Sequence, residues 1–388
     1  MRSGFMPLKR FASIDQTAAK RHRGCLRASF RLSFLSLLLF TLALCCSCAK
    51  QRGAINSYSV AQMEAEDGTL KNISFPGASS FEKKANEWIK SATDRELLGQ
   101  VLMVFVPGTS PNANAEKILK TAHPGAVILF APNIAETPEK VREFTDFIRK
   151  HGTVRGVAPF VSVDHEGGTV FRLKSNATRL PAALALGERS GTRVSAAVLA
   201  GGIAGKELAG LGFTLNLAPV AESAAASQVL TTRIWSEIPE AAGKFAGAYL
   251  GAHQSAGTAC ALKHFPGTGS EDPHEKLSSL PADPELFYSR FIRPFVLAGK
   301  EGPAAMLLSL VVAPALDNTP SVFSEKTVTA YIKQKLGYAG FILTDDLYMK
   351  ALSGFGTIPE RCLKALNAGC DMLMLSGGTY EEIGRAHV

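Results

Sequence analysis

Short apolar runs recur along the chain from Val101 to Leu375, and each is five or six residues long. Runs of this length are typical of buried strands. The predicted strands are residues 101–106, 125–130, 159–163, 214–218, 258–262, 305–309, 340–344 and 371–375. Segments with helical spacing separate most of them, including residues 137–150, 194–211, 239–256 and 324–336. Eight strands that alternate with helices predict an α/β protein, a (β/α)8 TIM-like barrel in one catalytic domain, with a doubly wound parallel sheet as the alternative.

Polar side chains follow most of these runs. They are Asn133 after the second, Asp164, His165 and Glu166 after the third, Glu222 beyond the fourth, Lys263 and His264 after the fifth, and Asp345 and Asp346 after the seventh. In a barrel, all of these strand ends converge on one face, where barrel enzymes carry their active sites. A doubly wound sheet would bring only a few of them together. The distribution therefore favours the barrel.

The loop after the fifth run carries an acid and a histidine two residues apart, Asp272 and His274. In an extended segment such side chains point the same way, so they can meet while Pro273 stiffens the link. A carboxylate beside an imidazole fixes its tautomer and raises its pKa, which suits proton transfer near neutral pH. The alternative interpretation is a surface turn with incidental charges.

Asp345 is the candidate nucleophile, because it follows directly on a buried strand. Adjacent strand residues face opposite sides, so only one of Asp345 and Asp346 should enter the mouth, and a capping role fits Asp346 better. An acid nucleophile with a second proton-transfer group makes a retaining glycosidase plausible, here with histidine as the acid/base. Asp164, His165 and Glu166 could conceivably bind a metal, but three adjacent residues seldom share one ion.

Seven motifs resemble those of the family 3 glycoside hydrolases, in particular the single-barrel β-N-acetylhexosaminidase branch that acts on peptidoglycan fragments. The motifs are residues 163–173, 178–182, 215–220, 263–267, 314–317, 344–347 and 365–369. The resemblance implies retaining hydrolysis of terminal β-linked N-acetylglucosamine, without metal or cofactor, through a covalent glycosyl-enzyme.

The resemblance also implies roles for particular residues. Asp345 matches the nucleophile, and Asp272 with His274 matches a dyad in which the histidine is the general acid/base on a mobile loop. The positions that match sugar-binding residues are Asp164, Arg172, Arg233, Lys263 and His264.

The sequence departs from the family pattern near the dyad. The loop is two residues shorter than usual, Thr268 replaces a common histidine, Pro273 replaces a small polar residue, and Glu222 replaces an aspartate. Two alternatives remain open: another β-glycosidase of the family, such as a β-glucosidase, and an inactive sugar-binding lipoprotein.

The net charge of +8 is confined to residues 1–50, which hold nine basic residues and one acid. The rest of the chain is neutral, which argues against a nucleic-acid partner. An apolar run at residues 34–44 after basic residues, followed by Cys45 and Cys48, predicts a lipoprotein export signal at 1–48. A plain signal peptide or a short membrane anchor is the alternative.

The predicted organisation continues with a tether at residues 49–80, the barrel at 81–381 and a non-native tail at 382–388. The natural C-terminus and the last barrel helix are expected to be missing. Cys260, Cys362 and Cys370 are too few and scattered for a disulfide framework. The predicted protein is exported and membrane-anchored by a lipid, with cell-wall saccharides containing N-acetylglucosamine as its ligands. A monomer is favoured.

Overall fold

The computed structural model describes residues 78–191, 193–223 and 229–377. The predicted export signal at 1–48 and tail at 382–388 lie outside the described residues, as does most of the predicted tether. The first helix, α1 (Ala78–Ser91), begins inside the range assigned to that tether. Within the described ranges, no helix has both the length and the apolar character needed to cross a bilayer.

Eight parallel strands form the central sheet, in the order β10, β1, β2, β3, β4, β5, β6, β9. The strands in the described ranges are β1 (Leu102–Phe105), β2 (Ala126–Leu129), β3 (Phe160–Val163), β4 (Leu215–Asn216), β5 (Ala259–Phe265), β6 (Ala305–Leu308), β7 (Val312–Ala313), β8 (Asp317–Pro320), β9 (Phe341–Thr344) and β10 (Leu373–Leu375). A parallel bridge between Leu343 and Met372 joins the two ends of the sheet. The predicted (β/α)8 barrel is confirmed.

Helices connect the strands. They are α2 (Asp94–Gln100), α3 (Ala113–Ala122), α4 (Pro138–Gly152), α5 (Ala183–Ser190), α6 (Ser195–Gly210), α7 (Pro239–Ser255), α8 (Pro284–Phe287), α9 (Arg293–Gly299) and α10 (Ile358–Ala368), with π-helices at Tyr288–Ile292 and Lys326–Lys335 and 3-10 turns at Ala131–Asn133, Lys174–Asn176, Ser321–Phe323 and Lys350–Phe355. Local signals set their starts. The side chain of Thr137 accepts the Lys140 N–H at the start of α4, where a proline takes the first position.

Alternate strand residues fill the barrel interior. Phe160 on β3 and Phe341 on β9 come from strands that are not neighbours, yet their ring centroids lie 5.7 Å apart. These rings therefore meet inside the barrel. Leu343 packs in the same buried cluster, whereas Ile342 packs in the larger cluster outside the sheet. Because side chains alternate along a strand, Asp345 continues the inward set and faces the barrel mouth.

The structure differs from the predicted strands in two places. β5 extends to Phe265, so Lys263 and His264 belong to the strand itself, where the pairing with β6 shifts register. The antiparallel pair β7–β8 was not predicted and lies between β6 and the next barrel strand. Its second strand has the sequence Asp-Asn-Thr-Pro and is only partly buried, so it lacks the apolar signal of the barrel strands.

Candidate active site

A buried network of two bases and two acids lies at the ends of β3 and β5. Lys263 Nζ lies 2.7 Å from Asp164 Oδ1 and 2.7 Å from Glu166 Oε1. Arg233 donates from Nε and Nη2 to the two oxygens of Glu166, each at 2.8 Å. Lys263 and Glu166 have side chains only 2% and 5% exposed. The four groups hold one another in place at the mouth of the barrel.

Strand alternation explains how this network forms. The hydroxyl of Ser162 points inward to Met103 Sδ, and Asp164 lies two residues further on. Asn216 at the end of β4 then fixes the loop, since its Oδ1 accepts the His165 N–H and its Nδ2 donates to the His165 carbonyl, both at 3.0 Å. With the backbone held at this point, Asp164 and Glu166 both reach Lys263.

The pKa values of the network follow from burial and from charge pairing. Burial alone would raise the pKa of Glu166, but Lys263 and Arg233 outweigh it and lower the pKa to about 2. Burial disfavours the charge on Lys263, yet Asp164 and Glu166 raise its pKa above the ordinary value. Glu166 and Lys263 therefore carry their charges at neutral pH.

Asp345 lies at the carboxyl end of β9, with its N–H bonded to the Leu308 carbonyl at 2.9 Å. Burial raises the pKa of Asp345, while the charge of His264 and the hydrogen bond from the Asp346 N–H oppose that rise. The Asp345 Oδ1 accepts that N–H at 2.8 Å. The carboxylate is thus oriented by its own backbone and lies within electrostatic range of His264.

Asp346 has a structural role, in line with the capping role suggested by the sequence. Its carboxylate accepts the N–H groups of Tyr348 at 3.1 Å and Ser376 at 3.2 Å, and also the Ser376 hydroxyl. It thereby ties the turn after β9 to the segment after β10. Neighbouring aspartates at one strand end have separate tasks.

His264, the residue after Lys263 on β5, is held by Glu222. Its Nδ1 lies 2.7 Å from Glu222 Oε1, and its side chain is 12% exposed. Because a carboxylate only accepts hydrogen bonds, this contact places a proton on Nδ1. The other ring nitrogen, Nε2, has no hydrogen-bond partner among the described residues and is available to a ligand.

The structure brings Asp272 and His274 together on the loop after β5. His274 Nδ1 lies 2.7 Å from Asp272 Oδ1, and their side chains are 64% and 42% exposed. The pKa of Asp272 is lowered, mainly by the hydrogen bond from the His274 backbone N–H. The imidazole is therefore oriented by its carboxylate while most of the ring stays exposed.

Two contacts place this loop beside the segment that follows β9. The Ala351 N–H donates to the Pro273 carbonyl at 3.3 Å. Lys350 Nζ lies 2.8 Å from Glu275 Oε2, although both side chains are 67% exposed and the pair adds little stability. The dyad loop is thus held against the 3-10 turn Lys350–Phe355, which follows β9 and Asp345.

Arg172 lies apart from the ion network. It is half-buried, and among the described residues its Nε has no hydrogen-bond partner. The preceding Phe171 packs on the His165 ring, with centroids 4.7 Å apart. The Arg179 guanidinium lies over the same Phe171 ring, 5.6 Å from its centroid. This Nε is buried and does not face solvent in the structure.

His165 and His253 are fully buried behind the mouth. His253 lies 3.1 Å from the Thr258 carbonyl through Nδ1 and 3.1 Å from Asn216 through Nε2. Both ring nitrogens of His165 lack a partner among the described residues. Burial lowers the pKa of each imidazole to about 4, so both rings are neutral in the folded protein at neutral pH.

We expect acid to destabilise the protein well above the pH at which carboxylates titrate. The unfolded chain protonates these rings near pH 6.5 and the folded protein only near pH 4, so the free energy of unfolding falls as pH is lowered through that window. The loss approaches about 3 kcal/mol for each histidine at pH 4. Urea unfolding between pH 7 and pH 4 measures it.

The control is His165→Leu, which removes one titrating ring without removing a hydrogen bond of that ring. We expect the unfolding free energy of this variant to depend less steeply on pH. Equal slopes for the variant and the wild type would contradict the assignment.

Asp164, His165 and Glu166 do not converge on a common point. The two acids bind Lys263, whereas the His165 ring packs on Phe171. In residues 78–191, 193–223 and 229–377, no group of three or more His, Cys, Asp or Glu side chains is arranged to hold a metal ion. A three-residue metal site from this motif is not formed.

Comparison with known proteins identifies the family of this barrel. A family model described as the Glycosyl hydrolase family 3 N terminal domain matches residues 93–387, which include both Asp345 and the dyad loop. The chain belongs to glycosyl hydrolase family 3. The predictions of this family and of a glycoside hydrolase are therefore confirmed.

Relatives within family 3 share most of the chain. A protein named Beta-hexosaminidase from Thioalkalivibrio sulfidiphilus is 33% identical over 285 residues, which make up 72% of this chain and 80% of that protein. Another Beta-hexosaminidase, from Alkalilimnicola ehrlichii, is 34% identical over 288 residues and covers 72% of this chain and 81% of its own length.

Among solved structures, a family 3 β-N-acetylglucosaminidase from Paenibacillus sp. superposes with a TM-score of 0.72 at 28% identity. The match covers 76% of this chain and 57% of that one, so this family 3 chain spans less than two thirds of the Paenibacillus protein. NagZ from Neisseria gonorrhoeae superposes with a TM-score of 0.66 at 27% identity, over 74% of this chain and 83% of NagZ.

Two residues of the site are more central than the sequence indicated. Glu166 bridges Lys263 and Arg233, and Glu222 bridges His264 and Thr268. The spacing of Glu166, two residues after Asp164, was a usable signal, because it places both acids on one side of an extended segment. Glu222 had no such signal, since its partners lie about forty residues away in the chain.

Proposed function

We propose that this protein is a retaining exo-β-N-acetylglucosaminidase that removes terminal β-linked N-acetylglucosamine from peptidoglycan fragments. The observation that carries the proposal is the position of Asp345, an inward-facing carboxylate at the barrel mouth within electrostatic range of His264 and Lys263. The names of its family 3 relatives, Beta-hexosaminidase and β-N-acetylglucosaminidase, support this substrate class.

In the proposed first step, an Asp345 oxygen attacks the anomeric carbon and the bond to the leaving oxygen breaks. His274, protonated on both nitrogens, gives its Nε2 proton to that oxygen while Asp272 holds Nδ1. The products are a glycosyl-aspartate, a free alcohol and a neutral imidazole.

In the second step, the neutral His274 takes a proton from water, and the resulting hydroxide equivalent attacks the anomeric carbon. Asp345 leaves as a carboxylate and the imidazole is protonated again, so the cycle closes with net retention. The raised pKa of Asp345 makes the ionised carboxylate more nucleophilic than an exposed aspartate.

The buried network has a binding role in this proposal. Asp164 is 20% exposed and can accept a hydrogen bond from a sugar hydroxyl, while Lys263 is only 2% exposed and holds it in place. Arg172, which is half-buried, is the other residue of this region proposed to bind the sugar. Such preorganised groups bind hydroxyls without reorganising when the sugar arrives.

The cellular location is proposed from the sequence. The basic and apolar character of residues 1–48 and the cysteines at its end support export and lipid anchoring at a membrane. A position outside the cytoplasm would place the barrel where cell-wall fragments occur.

Hydrolysis of 4-nitrophenyl β-N-acetylglucosaminide, compared with the corresponding β-glucoside, tests the substrate class. We expect turnover of the first and at least about a hundredfold less kcat/KM for the second, because the family relatives act on N-acetylated sugars. NMR of the first sugar released should show the β anomer, which reports retention.

A disaccharide of N-acetylglucosamine β-linked to N-acetylmuramic acid tests the proposed natural substrate. Cleavage supports action on cell-wall fragments. Release of glucose at equal efficiency would favour a broader β-glycosidase, and sugar binding without turnover of any substrate would favour an inactive binding protein.

A further inference from the structure

The carboxylate of Glu222 forms four hydrogen bonds to only two residues. It accepts the His264 N–H at 3.3 Å and lies 2.7 Å from His264 Nδ1. It also accepts the Thr268 N–H at 2.6 Å and the Thr268 hydroxyl at 2.8 Å. Its side chain is 4% exposed, and in the described part of the chain no lysine or arginine forms an ion pair with it. Its hydrogen bonds in the described part of the chain all come from these two residues.

The two partners of Glu222 belong to different parts of the site. His264 lies on β5, within electrostatic range of Asp345 at the mouth. Thr268 is 5% exposed and lies at the start of the loop that carries Asp272 and His274. One buried carboxylate therefore connects a sugar-facing ring to the first residues of the dyad loop.

The backbone around Thr268 makes this contact an anchor. Gly267 and Gly269 on either side have φ angles of 148° and 75°, which favour glycine. A Cβ on Gly269 would lie 2.6 Å from the Ser278 hydroxyl oxygen, so the backbone at Gly269 packs closely against Ser278. Between these two glycines, Thr268 is held by the hydrogen bonds of its N–H and its hydroxyl to Glu222.

We propose that Glu222 is a positioning residue that sets the tautomer of His264 and fixes the start of the dyad loop. With its proton held on Nδ1, His264 presents Nε2 to the substrate, and with Thr268 fixed, the loop presents His274 at a defined place. This inference rests on the proposed glycosidase function. It predicts an effect on the chemical step rather than on sugar affinity.

The first test is the nitrogen-15 NMR spectrum of the His264 ring in the full chain. In the wild type, Nδ1 should carry the proton at neutral pH, and in Glu222→Gln the ring should shift towards a mixture of tautomers. The His264 signals are assigned by comparison with His264→Gln. An unchanged tautomer in Glu222→Gln overturns the proposal, whether or not the protein turns over substrate.

The second test is kinetic and uses the same aryl β-N-acetylglucosaminide. Glu222→Gln should lower kcat by about tenfold to a hundredfold with KM within about threefold, as expected for loss of hydrogen bonds to a charged group. Thr268→Val should lower kcat by about tenfold, and Thr268→Ser, which keeps the hydroxyl, should restore most of it. Equal kcat values for the valine and serine variants would overturn the proposal that the Thr268 hydroxyl fixes the start of the dyad loop.

The Thr268 pair keeps the proposal testable if Glu222→Gln fails to fold, which circular dichroism will show. If Thr268 had only a structural role, Thr268→Val would lower the melting temperature. The apparent kcat would then fall only in proportion to the fraction of folded enzyme, and KM would not change. No turnover by the wild type would defeat the proposed function, whereas the ring spectrum would still decide this inference.

Discussion

Asp345→Asn should lower kcat on aryl β-N-acetylglucosaminides by about a thousandfold or more, the largest loss expected for any single change in this protein. The variant keeps the shape of the side chain and its contact with the Asp346 N–H, but an amide oxygen cannot form the glycosyl intermediate. Single-turnover and steady-state assays measure the loss.

Asp346→Asn is the matched control, because it changes the neighbouring carboxylate, which binds Tyr348 and Ser376. We expect it to lower the melting temperature and to retain far more activity than the Asp345 variant. Similar losses in both variants would contradict the assignment of Asp345 as nucleophile.

Chemical rescue tests the nucleophile independently. In Asp345→Gly with an activated substrate, azide should enter the space left by the carboxylate and give a glycosyl azide of the α configuration. A β-configured product, or no rescue, would argue against attack from the side on which Asp345 lies.

His274→Ala should produce the second largest effect, and the effect should depend on the leaving group. Hydrolysis of substrates with poorly acidic leaving alcohols should slow by about a hundredfold to ten thousandfold, since they require protonation of the departing oxygen. Formation of the glycosyl-enzyme from a 2,4-dinitrophenyl glycoside should change little. Burst kinetics separates the two steps.

Asp272→Asn provides the comparison for the dyad. It leaves His274 in place but removes the charge 2.7 Å from Nδ1, so the loss should be smaller and the acidic and basic limits of the pH profile should move. Equal losses for good and poor leaving groups in His274→Ala would remove that residue from the proton-transfer role.

The barrel was predictable because its strands carry their own signal. Runs such as Phe341–Thr344 are apolar and bounded by turn residues, and each needs only its neighbours in sequence to be recognised. The same alternation that fills the interior with Phe341 and Leu343 places Asp345 at the mouth. The choice between the two adjacent aspartates therefore followed from the strand period.

The contacts within the site were less accessible to sequence reasoning. Asp272 and His274 are close in the chain, so their meeting could be anticipated from spacing. The bond between Lys263 and Asp164 joins residues 99 positions apart, and only the closed ring of strands brings them together. For these two residues the resemblance to the family, and not their spacing, indicated a shared role.

The extra pair β7–β8 and the length of β5 show a further limit of predicting strands from hydrophobic patterns. Lys263 and His264 are polar, so the apolar run ends before them, yet the backbone continues in strand pairing to Phe265. Hydrophobic patterning detects where a strand is buried in apolar surroundings. It does not detect a strand that ends in a polar pocket.

The four charges formed by Asp164, Glu166, Lys263 and Arg233 sum to zero within one enclosed space. The network therefore carries no net formal charge and needs no counter-ion of its own. Replacement of any one of the four by an uncharged residue would leave an opposite charge buried without a partner, which would lower the free energy of unfolding by several kcal/mol. Altered sugar preference at this position is therefore expected to arise through simultaneous exchange of an acid and a base, which is a rarer evolutionary event than a single replacement.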